Sequence, residues 1–153
     1  MLRISKLTDY GTVVLAELAR AEAGLVSAAD IAGRTGLGLP TVSKLLKMLA
    51  RARLVTSVRG PRGGYRLARE PERITAAAVI DALEGPVSIT ECSGHDSRCD
   101  IEAVCRVGGT WQRINLAIHS ALEEISLADL LRANSPLPRF RFANTRISVE
   151  RKR

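Results

Sequence analysis

Aromatic residues are scarce in this chain, with one Trp, two Tyr and two Phe among 153 residues, although 46% of the residues are hydrophobic. A core with so few rings is built from Leu, Ile, Val and Ala, which amphipathic helices supply, so mostly helix is expected. No run approaches the roughly 18–20 apolar residues that cross a bilayer, and residues 1–10 lack the apolar stretch of a signal peptide. The expectation is a cytoplasmic protein with no membrane partner. Only three cysteines are present, an odd number, and cytosolic thiols stay reduced, which argues against a disulfide framework. A Cys-x-x-Cys pair is missing, as is a nucleophile with a positioned base, so no enzyme and no small-molecule substrate are expected. The length suits one domain with extensions.

The net charge of +7 is unevenly spread: residues 1–74 carry +7, residues 75–133 carry −5 and residues 134–153 carry +5. A basic front suits a polyanion such as nucleic acid, whereas the acidic middle would be repelled by phosphates. A merely solvated basic face is the other reading of charge alone.

From Lys6 to about Ala21 the apolar positions follow helical spacing, with Ser5 or Thr8 as the cap. Ser27-Ala28-Ala29-Asp30 resembles a capping box and opens a short helix that Gly36 ends. Pro40 fits the first position of a third helix, in which Val42, Leu45, Leu46 and Leu49 form the buried stripe. Thr41, Ser43, Lys44, Lys47 and Arg51 are left to solvent. Two short helices joined by a glycine-containing turn make a helix-turn-helix, though a helical hairpin in any core looks similar. Residues 54–58 and 65–67 then read as strands around the turn Arg59-Gly60-Pro61-Arg62-Gly63-Gly64, a wing whose arginines suit a narrow minor groove. The fold class is mainly α with a small β-wing.

Thr75 caps a fourth helix that Gly85-Pro86 closes. Cys92, Cys99 and Cys105 follow within fourteen residues. Their gaps are wider than those of structural zinc sites, whereas iron-sulfur clusters tolerate such loops and normally take four protein ligands. By residue type the fourth is His95, Asp96, His119 or a side chain of another subunit. A longer helix then carries Trp111, Ile114, Ile118, Ala121, Leu122 and Ile125 on one face, which needs a partner within the chain or across a two-fold axis. A short capped helix from Ser126 and a basic, disordered tail over residues 134–153 complete the chain.

The run Leu2-Arg3-Ile4-Ser5-Lys6-Leu7-Thr8-Asp9-Tyr10, the wing Val58-Arg59-Gly60-Pro61-Arg62-Gly63-Gly64-Tyr65 and three cysteines ahead of Trp111 resemble the Rrf-type winged-helix regulators that sense iron-sulfur status, nitric oxide or iron. The resemblance covers residues 1 to about 133. Glu91-Cys92, Cys99, Cys105 and Gly109-Thr110-Trp111-Gln112-Arg113-Ile114-Asn115 most resemble the branch that regulates SUF iron-sulfur assembly genes. It implies a homodimer joined through the long helix and operator double-stranded DNA read by the third helix and the wing. The DNA-binding set is then Thr41, Ser43, Lys44, Lys47, Arg51, Arg59, Pro61 and Arg62. Cys92, Cys99 and Cys105 become ligands of an iron-sulfur cluster, with 2Fe-2S slightly favoured over 4Fe-4S. In housekeeping assembly regulators a histidine three residues after the last cysteine completes the set, but that position is Gly108 here. In nitric-oxide-sensing relatives an aspartate of the partner's first helix serves, which matches Asp9, with His95 as the other candidate. An acidic, base-discriminating residue of some relatives is Ser43 here, so the operator sequence does not carry over. The implied division is 1–85 winged domain, 86–106 cluster loop, 107–133 dimerisation and short following helix, and 134–153 tail. The implied function is cluster-dependent repression of iron-sulfur assembly genes. A nitric oxide- or iron-responsive repressor, or a DNA-binding regulator with a structural metal site, is the alternative.

Overall fold

Ser5 opens the first helix, α1 (Lys6–Arg20). Its hydroxyl accepts from the amides of Leu7 and Thr8 at 3.2 and 3.5 Å, two of the donors that a helix start leaves unpaired. The computed structural model describes residues 4–21, 24–91, 99–100, 105–132, 141–142 and 145–146, the last two pairs as backbone. Helix α2 (Ala28–Thr35) is capped by Ser27, which accepts from Asp30 N at 3.1 Å, and ends on Gly36 at φ 72°. Helix α3 (Leu39–Arg51) starts one residue earlier than expected, so Pro40 is its second residue. Gly38 is its cap and has no side-chain oxygen to offer, so no side-chain cap bond is made.

The end of α3 sets up the wing. Leu54 N donates to Leu49 O and Arg53 N donates to Ala50 O, both at 3.0 Å; these are the two bonds of a Schellman ending. Its left-handed residue, usually glycine, is Arg53 at φ 58°. An L side chain there costs about 1–2 kcal/mol. Leu54, 1% exposed, closes the motif against buried Leu49.

Strands β1 (Val55–Val58) and β2 (Gly64–Leu67) pair antiparallel, from Val55↔Leu67 to Val58↔Gly64. Val26 adds a bridge to Tyr65, with N–O distances of 2.8 and 2.9 Å, docking the wing on the segment before α2. In the intervening turn a Cβ on Gly63 would lie 2.3 Å from the Val58 carbonyl oxygen, so the turn closes only with glycine.

A 3-10 turn (Pro71–Arg73) leads to Thr75, which caps α4 (Ala76–Glu84). After the cysteine segment come α5 (Gly108–Glu123) and α6 (Leu127–Leu131). Ser126 and Asp129 form a complete capping box at α6, and the Ser126 hydroxyl holds the Asp129 carboxyl below the usual range. Ala76 N donates to Ile125 O at 2.8 Å and Leu127 N to Ile74 O at 2.7 Å, tying the end of α5 to the start of α4. In the tail, β3 (Arg141–Phe142) and β4 (Thr145–Arg146) form a two-residue ladder. The expectation for the rest of 134–153 lies outside the described residues.

One core joins these elements. Val14, Leu15 and Leu18 of α1, Ile31 of α2, the α3 stripe, Val79 and Leu83 of α4 and Leu127 of α6 are buried together. Among the described residues no aromatic is buried in the core; Tyr10 and Tyr65 sit at its margin. The fold is mainly helical with a small antiparallel wing, as the scarcity of rings led one to expect. The face of α5 differs from a buried stripe. Trp111 and Ile114 are 39% and 38% exposed, while Asn115 is buried and donates from Nδ2 to Val87 O at 2.9 Å.

The first turn of α1 is clasped to the last of α4. The Glu84 carboxylate accepts from Ser5 N at 3.1 Å and from the Thr8 hydroxyl. The Thr8 hydrogen bond holds the Glu84 carboxyl below its ordinary range. A depressed carboxylate stabilises the fold above its unfolded-state pKa and loses that contribution as pH falls through the folded one. Wild type should therefore be more stable than Glu84→Gln at neutral pH, the gap closing below the ordinary glutamate range; pH-series denaturant melts check this. Leu45→Ala should cost about 2–5 kcal/mol in urea unfolding, because Leu45 is fully buried in α3's stripe.

Candidate nucleic-acid interface and cysteine segment

Burial of Val42, Leu45, Leu46 and Leu49 fixes how α3 is rotated in the fold. Lys44, Lys47 and Arg51 are consequently exposed, and Thr41 and Ser43 are half-exposed near its start. The first amides of α3 carry no side-chain cap, so they are available, with the positive end of the helix dipole, to a phosphate. Arg59, Pro61 and Arg62 are exposed around the wing turn. The structure thus brings the expected DNA-binding residues onto two adjoining elements, separated by only residues 52–54.

Four further exposed cations fall in the same stretch of sequence. No acidic residue occurs between Asp30 and Glu70, whereas Arg34, Lys44, Lys47, Arg51, Arg53, Arg59, Arg62, Arg66 and Arg69 all fall there. All nine are exposed, and none forms an ion pair among the described residues. Arg34, Arg53, Arg66 and Arg69 escape a motif-based reading; the acid-free window is the signal that finds them. Exposed cations outside ion pairs attract phosphates.

Cys92, His95 and Asp96 lie outside the described residues. Cys99 and Cys105 are half-buried free thiols. Cys105 stands just ahead of α5, and a Cβ on Gly108, the helix's first residue, would lie 3.8 Å from its Sγ. Around a Cβ on Gly109 nothing comes within 4 Å. The start of α5 has Val107 as its cap and no side-chain cap bond. Soft thiolates beside open, glycine-lined backbone are donors of the kind that iron-sulfur clusters take. Among the described residues no three His, Cys, Asp or Glu side chains converge as a metal site.

The remaining candidate ligands lie elsewhere. His119 faces α4, with Nε2 3.6 Å from Asp81 Oδ2 and Nδ1 3.8 Å from Glu123 Oε1. From Gly108 to His119 the helix rises about 16 Å, beyond the reach of a ligand shared with Cys105 of the same chain. Asp9 is exposed and lines an open groove of about 600 Å³ with Ile4, Val79, Leu122, Ile125 and Leu130. That groove borders the end of α5 opposite Cys105. No described helix is long and apolar enough to cross a membrane.

The Rrf2 family model, described as iron-dependent transcriptional regulator, matches residues 4–133. The transcriptional regulator IscR of Aliivibrio salmonicida is 38% identical over 130 residues, 82% of this chain and 77% of that protein. The crystal structure of CymR, the global cysteine regulator of B. subtilis, superposes with a TM-score of 0.66 at 33% identity, covering 88% of this chain and all of that one. T. potens IscR gives a TM-score of 0.62 at 35% identity, with 86% and 87% covered. These relatives are regulators of transcription, not enzymes, and their winged-helix fold is the one described above. The chain belongs to the Rrf2 family of helix-turn-helix transcription regulators.

Proposed function

We propose that this protein is a homodimeric, iron-sulfur-dependent repressor of SUF-type iron-sulfur assembly genes. The observation that carries the reading is the joint placement on one helix of a thiol and an unpartnered apolar face: Cys105 at the foot of α5, then exposed Trp111 and Ile114. That helix face is the dimer contact, and two heads so joined meet two half-sites of an operator. Thr41, Ser43, Lys44, Lys47 and Arg51 enter the major groove, and Arg59, Pro61 and Arg62 reach the adjacent backbone or minor groove.

Cys92, Cys99 and Cys105 hold the cluster, with Asp9 of a second copy as fourth ligand and His95 as the alternative. Gly108 has no side chain to offer beside Cys105. Own-chain Asp9 belongs to a groove at the other end of α5, and this supports donation across the dimer. When bound, the cluster supplies iron that responds to oxidants, nitric oxide or iron supply. The chain's part is to set the 86–106 loop, to hold α5 against α4 through Asn115 and His119, and so to set the spacing of the heads. Residues 1–85 act as reading head and 107–133 as dimerisation unit. Only a difference in cluster affinity between two such arrangements can bias DNA binding. The glycine at 108 favours a second reading, a nitric oxide-responsive repressor with the aspartate-completed ligand set.

Anaerobic reconstitution of the full chain should give a coloured protein with iron and sulfide bound, and Cys99→Ala should lose the chromophore. In a salt series on DNA upstream of its own operon, Lys44→Ala and Arg62→Ala should each weaken binding, and removal of the cluster should change wild-type affinity. Equal affinity with and without the cluster would remove sensing but leave DNA binding; loss of signal alike on unrelated DNA would remove operator recognition.

A further inference from the structure

The left-handed ending of α3 carries more than a turn. At the other described positions with clearly positive φ, 36, 60 and 85, the chain has glycine; position 53 alone has a side chain there. Such strain persists where the surrounding structure fixes the backbone, and it gathers at functional sites. The two Schellman bonds hold the backbone of Arg53, but its side chain is exposed and forms no ion pair among the described residues. Its position is informative: Arg51, the last residue of α3, precedes it by two, and β1 begins two residues later. In β2, exposed Arg66 stands opposite Thr56. Arg53 therefore occupies the corner between the helix and the wing, inside the window that has no acidic residue.

We propose that Arg53 is a backbone contact of the DNA complex, binding a phosphodiester between the stretch read by α3 and the stretch held by the wing. Its ligand is the duplex phosphate itself, so it adds affinity and register rather than sequence preference. The guanidinium suits this role, since its planar fork matches two phosphate oxygens. The inference rests on the α3-and-wing interface proposed above. It explains why arginine stands where the backbone favours glycine: the isolated fold is weakened at this point, and the complex recovers the loss.

The test uses the full chain with a duplex of about 30 base pairs selected from random sequence by the wild-type protein, and an unrelated duplex of equal length. Arg53→Gly should melt roughly 2–4 °C higher than wild type. It should nevertheless bind both duplexes about two- to fivefold more weakly per contact, with a salt slope smaller by about 0.9 for each phosphate released. Arg53→Ala keeps the strained Cβ and should lose the same affinity without the gain in melting temperature, whereas Arg53→Lys, which keeps the charge but not the fork, should bind with an affinity between those of wild type and Arg53→Gly. If Lys44→Ala weakens binding while Arg53→Gly binds as wild type, the inference is overturned and the interface stands. Should Lys44→Ala also bind as wild type, the interface itself fails. A lysine variant as weak as the glycine variant would show that charge is not what position 53 contributes, and would equally overturn the proposal.

Discussion

Among the described contacts, the seam where α5 lies against α4 is the path by which the cysteine end of the molecule reaches the helix-turn-helix. Asn115 donates to the Val87 carbonyl just past the end of α4, His119 approaches Asp81 of α4, and the backbone bridge at Thr75 and Ser126 closes its far end. On its other sides α4 packs against α1 and α3. The two sides of this path differ in kind. The contacts around α3 are fully buried branched aliphatics, packed so that small displacements are costly. The α4–α5 contacts include half-exposed polar pairs, individually worth about 0–1 kcal/mol and easily remade. In the proposed mechanism, an influence arriving at the foot of α5 would shift α5 more readily than it would deform α3. A rigid reading head on an adjustable arm is the division of stiffness that a regulator needs.

Electrostatics sharpen the same division. A net charge of +7 says little, since attraction to phosphates is screened within about 8 Å at physiological salt. What matters is that the 39 residues between Asp30 and Glu70 carry cations alone, on the elements the core holds most firmly. The acidic excess is relegated to residues 75–133, the part that carries the thiols and the exposed face of α5. Docking on DNA through the acidic part would bring carboxylates to phosphates.

Much of this was legible in the sequence because its signals are local. The stripe at Val42, Leu45, Leu46 and Leu49, the serine and threonine caps, and the Gly-Pro punctuation of the wing each act over a few residues, and the structure places them as that logic requires. The features that escaped depend on partners far away in sequence or on backbone shape. Glu84 meets Thr8 across 76 positions, and nothing near either residue announces the pair. Asn115 and His119 look like solvent-facing residues on a helix whose apolar positions invite burial, yet the polar side is the one against α4. Arg53 carries no local mark of a left-handed conformation; that is dictated by Leu54 having to turn back onto Leu49. Pro40 stands second rather than first in α3 because Gly38, in extended backbone, is the cap and Leu39 the first helical residue.

The vacancy at Gly108 has a thermodynamic consequence for the proposed centre. If the donor beside Cys105 were on the same chain, cluster binding and dimerisation would be separate equilibria, linked only through conformation. With Asp9 supplied by a second copy, the complete ligand set exists only in the dimer, so the cluster stabilises association by mass action and association tightens the cluster in the same measure. A carboxylate is a harder donor than thiolate or imidazole and holds sulfur-bound iron less firmly. The ligand that would join the subunits would then also be the one most readily given up, and its release would loosen the arm that spaces the two heads. Sensing and release of the operator would in that case share a single bond, located where the two copies meet rather than within either one.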